Sequence, residues 1–163
     1  MTALFISDLH LHAERPGGIE QFLSFMRTEA RTASAVYILG DLFEAWIGDD
    51  DTDPGYAPII AALADLRHEK VPCYFMHGNR DFLVGKRFAA ATGCVLLDEW
   101  HVVEIAGERA LLTHGDLLCT DDVSYQELRT MVRDPAWQRE FLAKPLDERR
   151  AIVSELRERS KTE

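Results

Sequence analysis

Four short apolar runs in this 163-residue chain each open onto a cluster of hard ligand groups. Leu4-Phe5-Ile6 leads into Ser7-Asp8-Leu9-His10, and Val36-Tyr37-Ile38-Leu39 leads into Gly40-Asp41. Cys73-Tyr74-Phe75-Met76 leads into His77-Gly78-Asn79-Arg80-Asp81, and Ala110-Leu111-Leu112 into Thr113-His114-Gly115-Asp116. A carboxylate directly after a buried strand sits at the strand's C-terminal tip, where open α/β sheets place their chemistry. In an extended chain, residues two apart face the same side, so Asp8 and His10 can grip one cation while Leu9 turns away. Mixed carboxylate, amide and imidazole donors suit manganese, iron or zinc rather than a soft-metal site. The expected arrangement is a two-metal site: Asp8 and His10 on one ion, Asn79 and His114 on the other, and Asp41 shared. Two such ions about 3.5–4 Å apart would clamp a phosphoryl oxygen and hold a hydroxide between them. A neutral amide at Asn79 fits, because another carboxylate there would lower the second ion's Lewis acidity. All four strands are expected to deliver these groups to one edge of one sheet.

The elements that must carry these groups follow from periodicity. Strands are predicted over 3–7, 35–39, 72–77, 95–97, 100–105 and 109–113, each too short for a typical helix and rich in strand formers. Helical spacing of Ile19, Phe22, Leu23, Phe25 and Met26 predicts a helix over 19–33, after a loop containing Pro16-Gly17-Gly18. Further helices are predicted over 57–69 and 82–92. From Asp121 onward the strand pattern stops. Residues 121–160 read as two or three helices, with Asp134-Pro135 as a cap followed by proline in the first turn. The expected fold is α/β: a core over 1–120 with flanking helices, and a helical arm over 121–163.

Composition places limits on the function. Apolar residues make up 47% and charged residues 28%, ordinary for a water-soluble globular protein. No apolar run is long enough to span a bilayer, and the N-terminus enters a strand without a basic, cleavable segment, so a cytoplasmic protein is expected. The three cysteines, Cys73, Cys94 and Cys119, show no CxxC spacing and read as reduced thiols. Residues 1–128 carry 9 basic and 21 acidic side chains, whereas 129–161 carry 9 basic and 6 acidic. An acidic body argues against binding a nucleic-acid backbone. A basic arm on such a body suits an anionic lipid surface or an anionic substrate; the plainer reading is a solvated helix face.

These motifs resemble the calcineurin-like metallophosphoesterase superfamily, whose pattern runs DxH, GDxxD, GN[H/R][D/E], a lone His and GHxH. The chain is closer still to the branch that acts on UDP-2,3-diacylglucosamine in lipid A synthesis. That likeness rests on Phe5 through Leu11, on Tyr37 through Asp50 (YILGDLFEAWIGDD), on His77 through Leu83 (HGNRDFL) with Gly85 through Phe88, and on His114-Gly115-Asp116 with Leu118 through Asp122. The resemblance implies a layered β-sheet core, two divalent ions (Mn²⁺ foremost), and cleavage of a pyrophosphate by hydroxide held between the ions. It implies a UDP-linked acylated glucosamine as partner, a peripheral visit to the cytoplasmic face of the inner membrane, and a monomer. Asn79, Arg80 and His114 become candidate catalytic residues; Asn79, Arg80, Asp122 and Ser160 become candidate substrate contacts.

Two departures from the wider pattern carry meaning. Arg80 stands where the superfamily usually has a proton-donating His. A phosphate monoester leaving group, with a second pKa of about 6, needs no general acid at neutral pH. A fixed guanidinium that binds phosphate oxygens is more useful, which favours a pyrophosphate substrate; the alternative is a salt bridge to a carboxylate such as Asp81. The second departure is the missing GHxH. The sequence is expected to be the N-terminal two-thirds of a longer protein, and weak metal binding and turnover are expected of it alone.

Other residues have plainer readings. His12, His68 and His101 lack motif partners. His77 is either a support for the site or a satisfied strand-end histidine. The acidic run Asp49-Asp50-Asp51-Asp53 lacks calcium-loop spacing and reads as a solvated loop near the site. Trp46 is expected in the core, and Trp137 and Phe141 either pack a core or line an acyl groove. Two rival functions remain open at this point: a phosphoesterase for a soluble nucleotide or phosphodiester, and a non-catalytic scaffold.

Overall fold

The computed structural model describes residues 2–51 and 53–162, with side chains described as far as residue 158. Its centre is a parallel sheet in which strand order follows chain order: β1 (Ala3–Ile6), β2 (Ala35–Ile38), β3 (Cys73–Met76) and β4 (Val95–Leu97). With every step in the same direction, right-handed crossovers place the intervening helices on one face. These are α1 (Pro16–Thr28), α2 (Ala57–His68) and α3 (Lys86–Thr92). The period of two decides what each face buries. Val36 and Ile38 point to the helices and are fully buried, together with Phe75, Ile59, Leu63 and Leu66. Phe5, Tyr37 and Tyr74 point the other way and stack in a row across three strands, with ring centroids 4.9 and 4.7 Å apart.

The fourth ligand-bearing strand is not in that sheet, which corrects the single-edge expectation. Among the described residues β6 (Glu108–Leu112) pairs only with β5 (His101–Ile105), as an antiparallel two-stranded sheet. The pair closes on itself through Ala106 and Gly107, both at positive φ, which gives a tight hairpin turn that matches the strands' twist. Val103 and Leu112 pack this hairpin against Met76 and Leu97 of the main sheet. His114 therefore reaches the site from above the sheet.

Helix boundaries shift for local reasons. α1 begins at Pro16, inside the expected loop, because proline fits the first helical position; its C-terminal end passes into a 3₁₀ turn at Ala30–Thr32. α3 begins at Lys86 rather than 82, because the backbone N–H groups of Gly85, Arg87 and Phe88 all donate to the Asp49 carboxylate, each at 3.0 Å. That cap arrives from 36 or more residues away, so no local signal announces it.

The arm forms three helices, α4 (Val123–Arg133), α5 (Pro135–Leu142) and α6 (Leu146–Thr162). Asp122 caps α4 by accepting from Tyr125 N, and Asp134 caps α5 by accepting from the N–H groups of Ala136 and Trp137, as read from Asp134-Pro135. Four of the arm's arginines turn inward: Arg129 onto Asp116, Arg149 onto Asp50, Arg150 onto Asp51 and Arg157 onto Glu44. The acidic loop is correspondingly not free in solvent. Asp49 caps α3, Asp50 and Asp51 hold arm arginines, and Asp53 accepts from Gly55 N.

Arg149 is the tightest of these links, only 4% exposed. Its two terminal nitrogens grip Asp50 at 2.6 and 2.9 Å and also reach the carbonyls of Ile47 and Leu142, while Nε donates to the Lys144 carbonyl. All its donors are used. Arg149→Met should leave the carbonyls and Asp50 unpaired and cost about 3 kcal/mol in urea unfolding. The Arg149 hydrogen bond holds the Asp50 carboxyl below its ordinary 3.8. The clamp therefore contributes fully above pH 3.8 and is lost as acid carries the pH down through the lower folded value. Asp50→Asn should remove that acid sensitivity, measured as the change in urea midpoint between pH 6 and pH 3.

Candidate metal centre

The ligand loops begin where β1 and β2 stop, and their backbones are strained. Asp8, His10 and Asp41 hold φ of 56, 48 and 55°, the left-handed region that non-glycine residues avoid. Each such residue costs on the order of 1–3 kcal/mol and persists only where its surroundings enforce it. The enforcement is a ladder that continues past the strands. Asp8 N donates to Gly40 O at 3.0 Å, His10 N to Asp41 O at 3.0 Å, and Leu11 N to Leu42 O at 2.8 Å.

The result brings the donors together around Asp41. Oxygens of Asp8 and Asp41 and a ring nitrogen of His10 lie within 4.8 Å of one another. Asp41 Oδ2 is 3.7 Å from His10 Nε2 and also 3.7 Å from His114 Nε2. The Asn79 amide lies 3.2 Å from His114 Nε2, and with the amide turned its nitrogen reaches Asp41 Oδ2 at 2.7 Å. Both imidazoles are aimed from behind. His114 Nδ1 meets the Leu39 carbonyl at 2.7 Å, and His10 Nδ1 faces Glu44 at 3.5 Å, which leaves each Nε2 turned to the centre. Asp41 is 2% exposed, and burial pushes its carboxyl pKa up against the Arg80 N–H and the two histidines. A buried carboxylate ringed by imidazole lone pairs fits a bound cation. Asp8, His10 and Asp41 form a set able to hold one divalent ion.

Asp81 organises these loops, a role that its place in the GNRD motif did not reveal. Fully buried, it accepts from Gly78 N at 2.9 Å, Leu42 N at 2.8 Å, Asp41 N at 3.2 Å and Phe43 N at 3.4 Å. Burial pushes its pKa up to about 6, with the backbone donors opposing. The loop after β2 is thereby tied to the loop after β3. Asp81 is engaged by backbone, so it is not Arg80's partner; the Arg80 guanidinium instead faces Glu44 at 3.5 Å. Arg80 also donates its own N–H to Asp41 Oδ1 at 2.8 Å. His77 proves to be the satisfied strand-end histidine, its Nε2 on the Val84 carbonyl at 2.6 Å.

The arm's first helix braces both loops of the far side. Arg133 donates to Gly78 O at 3.0 Å and lies over the Phe82 ring, while Tyr125 and Arg129 hold Asp116, two residues past His114, at 2.5 and 2.7 Å. Beneath the arm lies a cavity of about 360 Å³. Asn79 and Arg80 line it together with Glu44, Arg129, Arg133 and Arg157; Trp46, Phe82, Trp137, Phe141, Val153 and Leu156 supply apolar wall. Trp46 is core as expected, 6% exposed, with Nε1 donating to Asp49. Trp137 and Phe141 stack at 5.0 Å and pack with the core, and both also line the cavity. Asp122 is engaged in capping α4 at the arm's base. Ser160 lies on α6, and its side chain is outside the described residues.

The close approach of the loops leaves no room at Gly78, where an added Cβ would meet Asp41 Oδ1 at 2.1 Å and Asp41 N at 2.4 Å. Gly78→Ala should displace Asp41 and destabilise the fold by roughly 1–3 kcal/mol. Urea titration checks the cost.

Residues 1–156 match the calcineurin-like phosphoesterase family. The chain is 54% identical over 160 residues to the UDP-2,3-diacylglucosamine hydrolase of Serratia proteamaculans, covering 98% of this chain and 67% of that protein. It is 54% identical over 161 residues to the protein of the same name from Escherichia coli O7:K1, with 99% and 67% covered. A Yersinia pseudotuberculosis protein of that name is 53% identical over 160 residues, with 98% and 67% covered. The strained Asp8, His10 and Asp41 turns, the Asn79 and His114 donors and the extent of these matches agree: the chain belongs to the calcineurin-like phosphoesterase family.

Proposed function

We propose that this chain carries out the chemistry of a UDP-2,3-diacylglucosamine hydrolase, cleaving the pyrophosphate to UMP and 2,3-diacylglucosamine 1-phosphate in lipid A biosynthesis. The observation that carries this reading is the cavity under the arm: it runs from Asn79 and Arg80 into an apolar wall, so a diphosphate and an acyl chain can be held at once. The relatives' printed name describes such a substrate.

Two divalent ions, Mn²⁺ first among them, would supply Lewis acidity and an activated water when bound. Asp8 and His10 would hold one ion, Asn79 and His114 the other, and Asp41 both. The protein's own residues do the rest. Arg80 offers a planar fork to the phosphate oxygens beside Asn79 and stabilises negative charge on the departing phosphate. Trp137 and Phe141 exclude water and take the acyl chain. Asp122 and Ser160 stand at the arm's two ends as sugar or phosphate contacts. The apolar lining and a lipid substrate support a peripheral visit to the cytoplasmic face of the inner membrane, and a monomer is the proposed state; among the described residues no helix is long and apolar enough to cross a membrane.

The acyl chains distinguish this from a phosphoesterase for soluble nucleotides. With Mn²⁺ present, UDP-2,3-diacylglucosamine should bind at least tenfold more tightly than UDP-N-acetylglucosamine, measured by calorimetry, and should release UMP. Equal affinity for the two would favour the soluble-substrate reading. Arg80→Ala should weaken binding of the diphosphate about tenfold or more while leaving Mn²⁺ binding intact. Arg133→Met removes the donor behind Asn79, so the second Mn²⁺ equivalent should weaken about 10–100-fold with the first unchanged, read by calorimetric titration.

A further inference from the structure

Far from the metal centre, two buried sulfurs have no part in the chemistry above. Cys73 opens β3, and Cys94 immediately precedes β4. Tyr74 pairs with Val95 in the parallel register, so the two cysteines are the facing residues one step earlier. Neighbouring strands run about 4.7–4.9 Å apart. That spacing falls within the range of Cα separations, about 4.4–6.8 Å, that a disulfide spans. The side chains already meet: Sγ to Sγ is 3.3 Å, and both thiols are free. Cys119, the third cysteine, is exposed.

We propose that Cys73 and Cys94 form a reversible disulfide when the protein meets a peroxide, making this strand edge an oxidation site. The two sulfurs are not equivalent. Cys73 lines a cavity at the surface, and in the sulfur–sulfur contact Cys94 donates to Cys73. Cys73 is therefore the attacking sulfur and Cys94 the resolving one. An approach exists on the protein surface. A cavity of about 220 Å³ is lined by Cys73, Thr92 and Gly93, with Arg67 and Lys70 at its wall.

The step balances with hydrogen peroxide as the only co-reactant. The Cys73 thiolate attacks one peroxide oxygen, the O–O bond breaks, and the departing hydroxide takes up the proton Cys73 released, leaving a sulfenic acid and water. Cys94 sulfur then attacks the Cys73 sulfur, the S–S bond forms, the S–O bond breaks, and a second water leaves with the Cys94 proton. Two thiols lose two electrons and one peroxide becomes two waters. A small thiol such as dithiothreitol reverses it by exchange.

The folded 163-residue chain with Cys119→Ser, to remove intermolecular pairing, is exposed to micromolar hydrogen peroxide, alkylated, digested and examined by mass spectrometry. The expected result is a linked peptide pair joining Cys73 to Cys94, loss of both free thiols on titration in denaturant, and return of both after dithiothreitol. Cys73→Ala and Cys94→Ala should each abolish the linked pair. The proposal is overturned if both sulfurs remain alkylatable after peroxide has oxidised Cys119 in the unsubstituted chain, or if the link appears only in protein unfolded before oxidation.

Discussion

The Asp81 carboxylate is the interaction on which the centre depends. Four backbone N–H groups from two separate loops converge on it with no solvent to compete. Those donors belong to the turn that presents Asp41 and the turn that presents Asn79. A charge in that position would be costly if left unpaired, and its four donors make the cost tolerable only when both loops are in place. The left-handed turns at Asp8, His10 and Asp41 are a second expense in the same region. Chains keep such strain where it aims a side chain, and these three residues are all metal-ligand candidates, whereas Lys70 and Ala106 hold positive φ in turns.

The arm is joined to the core by charge as well as by apolar packing of Trp137, Phe141, Leu146, Ile152 and Val153. Five of its arginines reach acidic side chains or carbonyls of the core, and among them Arg133 and Arg129 touch the loops of Asn79 and His114. The uneven distribution of charge along the sequence is thus in part internal complementarity. It follows that the cavity and the far side of the metal centre are built by the same helix. Movement of α4 would alter both at once, so the shape of the cavity and the placement of Asn79 and His114 are mechanically linked.

Much of this was legible in the sequence, and the limits are instructive. Short apolar runs ending in hard donors pointed to β1, β2, β3 and β6 and to all five ligand candidates, because period-two burial and strand-tip chemistry are local signals. The sequence did not reveal that β6 belongs to a separate hairpin, since a strand's own residues do not name its neighbour. Long-range capping hid the true start of α3, where Asp49 supplies from afar what a local cap residue would have announced. Asp81 read as one more acidic residue of a motif; its role exists only through the convergence of loops 40 residues apart. The acidic loop read as solvated and the basic arm as a face for an anionic lipid, an anionic substrate or solvent, because neither pattern shows that the other is its partner.

The central claim is that Asp41 is shared by two cations held from opposite sides. Crystals of the protein grown with Mn²⁺ and measured at the manganese edge test it directly. The account predicts two anomalous peaks about 3.5–4 Å apart, one beside Asp8 and His10 and one beside Asn79 and His114, with Asp41 between them. A single peak beside Asp8 and His10, or peaks that leave Asp41 out of contact, would contradict it.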